Sequence, residues 1–360
     1  MSAVSRTIDY SALTEPVTRD EVVAFKAQSR ADGVSWGRAN PGQIVLVVAL
    51  VFIFGFVVLT FAGGLVSALI STAAGGVTPS SLVGIALPLV FVLGIVGFGI
   101  VALRRGLGNS TWETWLRLTR FAAANQMLFS ASQPSPSYPG AIFNLGDSRK
   151  ALNHLVSATD RFLDIGNYQY MTGSGKSRST HNWGFMALNL DRKLPNMVLD
   201  SKANNGMFGM TNLPATFAKN QVLSLEGDFN EHFTLYCPKE YERDALYVFT
   251  PDLMALLIDE AAPFDVEIVD DWMFIYSSKP FRSLDPAVYA RLFRIVDTVG
   301  AKALAQTDRY ADQRVGSFAA NVVAPQGQRL KRGFSLATIA FVVICGGIWV
   351  LPHLIDFFTK

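Results

Sequence analysis

The chain has 360 residues and a formal net charge of +2, and its composition is 50% hydrophobic but only 17% charged. A near-neutral balance supplies no global field for nucleic acid, and so apolar a chain has room for an ordinary domain core as well as membrane-spanning segments. Its two cysteines, Cys237 and Cys345, exclude a disulfide framework and fit a reducing compartment.

In chain order, residues 1–40 read as a cytoplasmic tail. They lack the basic start and immediate apolar run of a cleavable signal. Thr18 and Glu21 have capping-box spacing and predict a short helix over 19–30, read as an exposed tail helix with Val22, Val23 and Phe25 partly covered. Between Arg38 and Arg104 there is no Asp, Glu, Lys, Arg or His. The two apolar halves of this stretch, 44–70 and 82–103, each reach the roughly 20 residues a spanning helix needs. They predict a transmembrane hairpin over 41–105. Basic residues on both flanks (Arg19, Lys26, Arg30 and Arg38 before, Arg104 and Arg105 after) place its ends, and the domain that follows, in the cytoplasm.

Ser110 and Glu113 open a juxtamembrane helix within 106–131, carrying Trp112, Trp115, Leu116 and Phe121. The prolines at 134, 136 and 139 mark 132–140 as an extended linker. Residues 141–310 then read as a cytoplasmic α+β domain, mostly antiparallel sheet covered by amphipathic helices. Runs 162–171 and 181–190 flank a hairpin loop, and 266–269 with 272–276 read as a second hairpin turning at Asp270 and Asp271. Asp285 and Pro286 start a long helix whose single apolar face is Val288, Leu292, Ile295, Val296, Val299 and Leu304. A linker over 311–332 leads to a third apolar run, 333–355, of spanning length, and the tail 356–360 is expected outside.

The stretch 221–257 is the densest in signals: strand residues Val222 and Leu223, a Gly227-Asp228 turn, apolar Phe233 and Leu235, then two helix starts at Pro238 and Thr250-Pro251. Glu226, Phe229, Phe233, Leu235-Tyr236, Asp244, Ala245, Tyr247 and Thr250-Pro251 resemble the sequence block of a bacterial family of membrane proteins catalogued as a domain of unknown function. From Tyr138 onward the core is similar to actinobacterial membrane proteins of the same kind. The resemblance implies a membrane-tethered domain and brings no activity, cofactor or site with it.

Chemistry is sparse. Gly173-Ser174-Gly175-Lys176-Ser177 ends like a phosphate-binding loop, but Tyr170 stands where its first glycine belongs and a strand-like run follows in place of a helix. A solvated basic hairpin tip is the plainer reading, with Lys176 and Arg178 available for contact with anionic headgroups. Glu226, Glu231, His232 and Cys237 are the candidates for an acid–base or nucleophilic site, against an acidic turn in water and a buried thiol. The histidines lack metal-ligand spacing, so no metal and no cofactor is expected. The expectation is a multi-pass inner-membrane protein whose cytoplasmic domain is a binding, scaffolding or regulatory module. Its partners would be membrane lipid and a protein partner or a second copy, and not nucleic acid. The alternative is a membrane-anchored enzyme built on Glu226 to Cys237. A channel or transporter subunit is disfavoured, because the apolar runs carry no intramembrane charge.

Overall fold

The computed structural model describes residues 7–32, 109–158, 161–206, 211–315 and 321–333, together with the single positions Gly55, Gly63, Val66, Ile70 and Ala73. The chain divides into two compact units, Pro16–Leu116 and Met1–Glu15 with Arg117–Lys360. The second contains the sheet.

The three-span architecture is corrected. Among the described residues no helix is long and apolar enough to cross a membrane. The longest, Asn109–Ala124, has 16 residues and includes Glu113, Arg117 and Arg120, against the roughly 20 apolar residues a span requires. The expected runs at 41–105 and 333–355 lie outside the described residues, apart from the five single positions. The polytopic fold is therefore not supported, and neither are the inner-membrane placement and the membrane-anchored forms of both functional readings.

In the Pro16–Leu116 unit, α1 being the short helix Ser11–Thr14 of the other unit, α2 spans Arg19–Ala31. It starts in a complete capping box: the Thr18 hydroxyl accepts from Glu21 N–H at 3.4 Å, and Thr18 N–H donates to Glu21 at 2.7 Å. The ammonium of Lys26 lies 5.6 Å from the Trp112 ring centroid, and Trp112 meets Trp115 edge-on at 4.9 Å.

Helix α3, Asn109–Ala124, leads into the sheet unit. Its end is fixed by Asn125, which accepts from Asp9 N–H at 2.8 Å and donates to Asp9 C=O at 2.9 Å. Strands β1 (Met127–Pro134), β2 (Asp147–Ser157), β3 (Leu163–Thr172) and β4 (Ser179–Ser201) follow as an antiparallel meander. β4 is 23 residues long and organises the rest. Its first half pairs with β3, its last residues pair with β6 (Phe233–Tyr236), and β6 pairs in turn with β5 (Val222–Leu223). Along its other side runs β7, Asp265–Ser277.

Strand β7 corrects a second expectation. Residues 266–269 and 272–276 do not fold back on each other. They form one continuous strand, both halves pair with β4, and Asp270 takes φ +52° where the ladder slips. Two adjacent aspartates looked like a turn. They occupy a bulge, where one residue in a left-handed conformation keeps the register on both sides.

Alternation sends Met186, Leu188, Met273 and Ile275 to one face of the sheet and Phe185, Ala187, Phe274 and Tyr276 to the other. Helices cover the first face. They are α4 (Phe229–His232), α5 (Glu242–Val248), α6 (Pro251–Leu256), α7 (Pro286–Ile295) and α8 (Ala301–Thr307), together with the end of α3. Asp285 caps α7 by accepting from Ala287 N–H at 3.0 Å, and Leu292, Ile295 and Val299 are buried along the expected stripe. Each such side chain contributes roughly 1.5–3 kcal/mol on burial.

Loops cover the second face. Ile142 and Phe143 pack there with Leu213 and Leu330. The segment around Pro136, expected as a linker, is tied to the sheet: Tyr138 hydroxyl donates to Asp164 at 2.6 Å, and Ala141 N–H donates to Glu267 at 2.7 Å. Residues 321–333, of which 321–332 were expected as a linker, include the short helix α9 (Pro325–Gln328) and run across the domain as a strap. Leu330 N–H donates to Asn196 at 3.0 Å, and Lys331 exchanges two hydrogen bonds with the Gln221 amide.

Candidate ligand-binding cleft

Helix α5 follows the single turn Lys239–Tyr241 and is entered with Glu242 and Asp244 in its first turn, where acidic side chains suit the positive helix end. Its inner residues Ala245 and Val248 are buried. Its outer residues Arg243, Leu246 and Tyr247 are exposed, as three- and four-residue spacing requires. Beyond α8 the chain turns back through 308–315 and closes one wall against this face. The space between them is a cleft of about 530 Å³ lined by Arg243, Asp244, Tyr247, Arg309, Tyr310 and Arg314.

Its floor is a satisfied polar knot. The Asp312 carboxylate is buried and accepts from Tyr241 hydroxyl at 2.5 Å, Ala324 N–H at 2.8 Å, and Arg314 through N–H at 3.0 Å and guanidinium at 3.2 Å. Burial pushes this carboxyl up, but those donors outweigh it and leave it below the usual carboxylate range. The Arg314 guanidinium lies 3.9 Å from the Tyr241 ring centroid and pairs with Asp244 at 3.1 Å. Burial works against its charge, yet Asp244 and Asp312 hold it raised. Tyr310 donates to the other oxygen of Asp244 at 2.8 Å. Burial, reinforced by these carboxylates, raises both tyrosines well above the ordinary phenol, so they act as neutral donors.

Asp244 is thus committed to Arg314 and Tyr310. At the mouth, Arg243 has no ion-pair partner among the described residues, and Arg309 is 91% exposed and reaches only its neighbour Asp308, at 4.0 Å. Arg243 and the weakly paired Arg309, beside the half-exposed ring of Tyr247, form a cationic, aromatic-edged site.

The residues singled out from sequence lie elsewhere. Glu226 and Glu231 are exposed around the turn before α4 and on it, His232 is half-buried at its end, and Cys237 is fully buried behind β6. The thiol is pushed up to about 12 by burial, with Glu242 and Asp244 adding to the effect. Lys176 sits exposed on the turn Gly175–Ser177, which leads into β4 and so presents no helix end to a phosphate. Arg178 is engaged by Asp147 and by Ser148 at 3.0 Å. Of the residues lining the cleft mouth and walls, sequence reading singled out only Asp244 and Tyr247, and those through the family resemblance. Tyr241 and Asp312 are 71 residues apart, and Asp244 and Tyr310 are 66 apart, separations at which no local pattern points from one to the other.

No protein-family model matches the chain, and no curated protein matches it. The crystal structure of the mycobacterial trehalose monomycolate transport factor A is similar to it over 52% of this chain and 93% of that one, at 13% identity and a TM-score of 0.34. A likeness of that size carries no argument about fold or function.

Proposed function

We propose that the domain is a docking module that binds an acidic segment of a partner protein in the cleft between α5 and residues 308–315. Arg243 and Arg309 contact the acidic groups, and Tyr247 with the exposed Leu246 supplies an apolar shelf. The observation that carries this reading is the charge arrangement: Asp244, the carboxylate of the lining, is neutralised by Arg314 and Tyr310, while at the mouth Arg243 has no ion-pair partner among the described residues and Arg309 has only the 4.0 Å contact with Asp308. Arginine and tyrosine beside a small apolar surface are the residue types that dominate binding hot spots.

The test is fluorescence anisotropy of the purified full-length chain with a labelled peptide rich in Glu and Tyr, against the same peptide with Lys replacing Glu. The acidic peptide should bind more tightly, and its affinity should fall as salt rises. Arg243→Ala/Arg309→Ala should weaken it about tenfold, or ~1.4 kcal/mol, with thermal unfolding unchanged because both side chains are exposed. Equal binding of both peptides, or an unaffected double variant, rejects the docking site.

A further inference from the structure

A second group of buried titratable residues stands apart from the cleft, at the end of the β4–β7 ladder. Leu199 pairs with Val266 in an antiparallel register, which puts the next pair, Asp200 and Asp265, directly opposite each other on one face. Like charges facing across a ladder repel, and these two are 5% and 0% exposed. Neither has an ion-pair partner among the described residues.

Their hydrogen bonds all come from neutral donors. Asp265 accepts from Ser201 N–H at 2.8 Å and from the Asn204 amide at 2.6 Å. Asp200 accepts from the Thr211 hydroxyl at 2.9 Å. Asn204 is held in turn by Ser278, whose hydroxyl and N–H donate to it at 2.8 and 3.2 Å. The pair therefore ties the chain on leaving β4, at Asn204 and again at Thr211, to the start and end of β7.

Among the described residues, the other titratable groups around it place no positive charge on the pair. Glu267 and Tyr276 are on β7 and Tyr236 is on β6. Lys202 follows β4, but its ammonium is turned to Asn230 C=O, and His232 contributes its backbone C=O to Lys202 N–H. Two desolvated carboxylates with no cation cannot both ionise cheaply, so they titrate as a pair with one proton retained.

The geometry points to a proton-operated latch: with one proton on the Asp200–Asp265 pair the chain after β4 is held down at Asn204 and Thr211, and with none the carboxylates repel and the ties loosen. Burial, followed by the Asp200 charge, raises Asp265 to about 7 from an ordinary 3.8, and burial raises Asp200 as well. The folded state thus binds a proton that the unfolded chain has released. Its stabilisation is complete below the unfolded value and is lost as pH rises through about 7.

Hydrogen exchange of the full-length chain between pH 5.5 and 8.5, corrected for intrinsic exchange chemistry, tests this. Peptides covering 201–206 and 262–268 should lose protection several-fold as pH passes neutrality, while peptides from α7 should not. Asp265→Asn should abolish the step. Asp200→Asn should move it to lower pH, because the remaining carboxylate no longer faces a charge. If Asp265→Asn does not fold, the shift in Asp200→Asn decides alone. A flat profile in the parent chain, or an unmoved step in Asp200→Asn, overturns the latch.

Discussion

Cys237 lies behind the four-residue strand β6, with its N–H donating to Gln221 C=O at 2.9 Å and its side chain fully buried. Thiolate is the reactive form of cysteine, and burial together with nearby acidic residues keeps this thiol protonated at neutral pH. In a Cys345→Ser background, a soluble maleimide should leave Cys237 unlabelled in the native protein and label it fully in denaturant, as read by mass spectrometry. Rapid native labelling would restore it as a nucleophile. The same residue shows the reach of sequence reading at this scale. A buried thiol was the plainer expectation, because sequence adjacency supplies neither a base in contact nor an oxyanion site, but the carboxylates that raise it come from α5, which only the folded chain brings close.

Among the elements, the β2–β3 pair carries an unusual local demand. The ladder slips between Leu152 and Leu155, Asn153 takes φ +48°, and His154 is turned inward to meet Asp164 at 2.9 Å, with Tyr138 on the other carboxylate oxygen. Gly166 lies against this bulge, and a Cβ there would overlap His154 Cβ. Gly166→Ala should therefore destabilise the domain by about 1–3 kcal/mol, seen as a lower midpoint in chemical denaturation with an unchanged slope. An unchanged midpoint would mean that the bulge relaxes freely. Strands of this sheet were legible where polar and apolar residues alternate, as from Tyr168 to Tyr170 and Trp183 to Phe185. Asp270 was misread because a bulge and a turn use the same residue types, and the difference is whether β4 runs alongside both halves.

For the whole molecule, the strap 321–333 and the knot at Asp312 join segments that are distant in sequence. Asp312 accepts from Ala324 N–H, Tyr241 and Arg314 together, and α9 packs Gly327 against the Tyr241 ring. Asp312→Ala would leave these donors without their acceptor in a buried place, at a cost of about 3 kcal/mol. Thermal unfolding should register the loss, and limited proteolysis should cut first within 321–333. Wild-type resistance there in the variant would show that the strap is held by its other contacts, at Asn196 and Gln221.

What the sequence determined by itself was local: the capping box at Thr18 and Glu21, the Asp285 cap and apolar stripe of α7, and the alternating strands of a mostly antiparallel sheet. Each of these follows from neighbours within a turn or a strand, where residue spacing translates directly into a face. The tertiary structure decided the rest. It drew 132–140 and 321–333 onto the domain, set Asp200 opposite Asp265, and left Glu226 and Glu231 exposed, His232 half-buried and Cys237 fully buried. It assembled the cleft from α5 and 308–315, because hydrogen bonds such as Tyr241 to Asp312 form between residues whose separation along the chain carries no periodic signal.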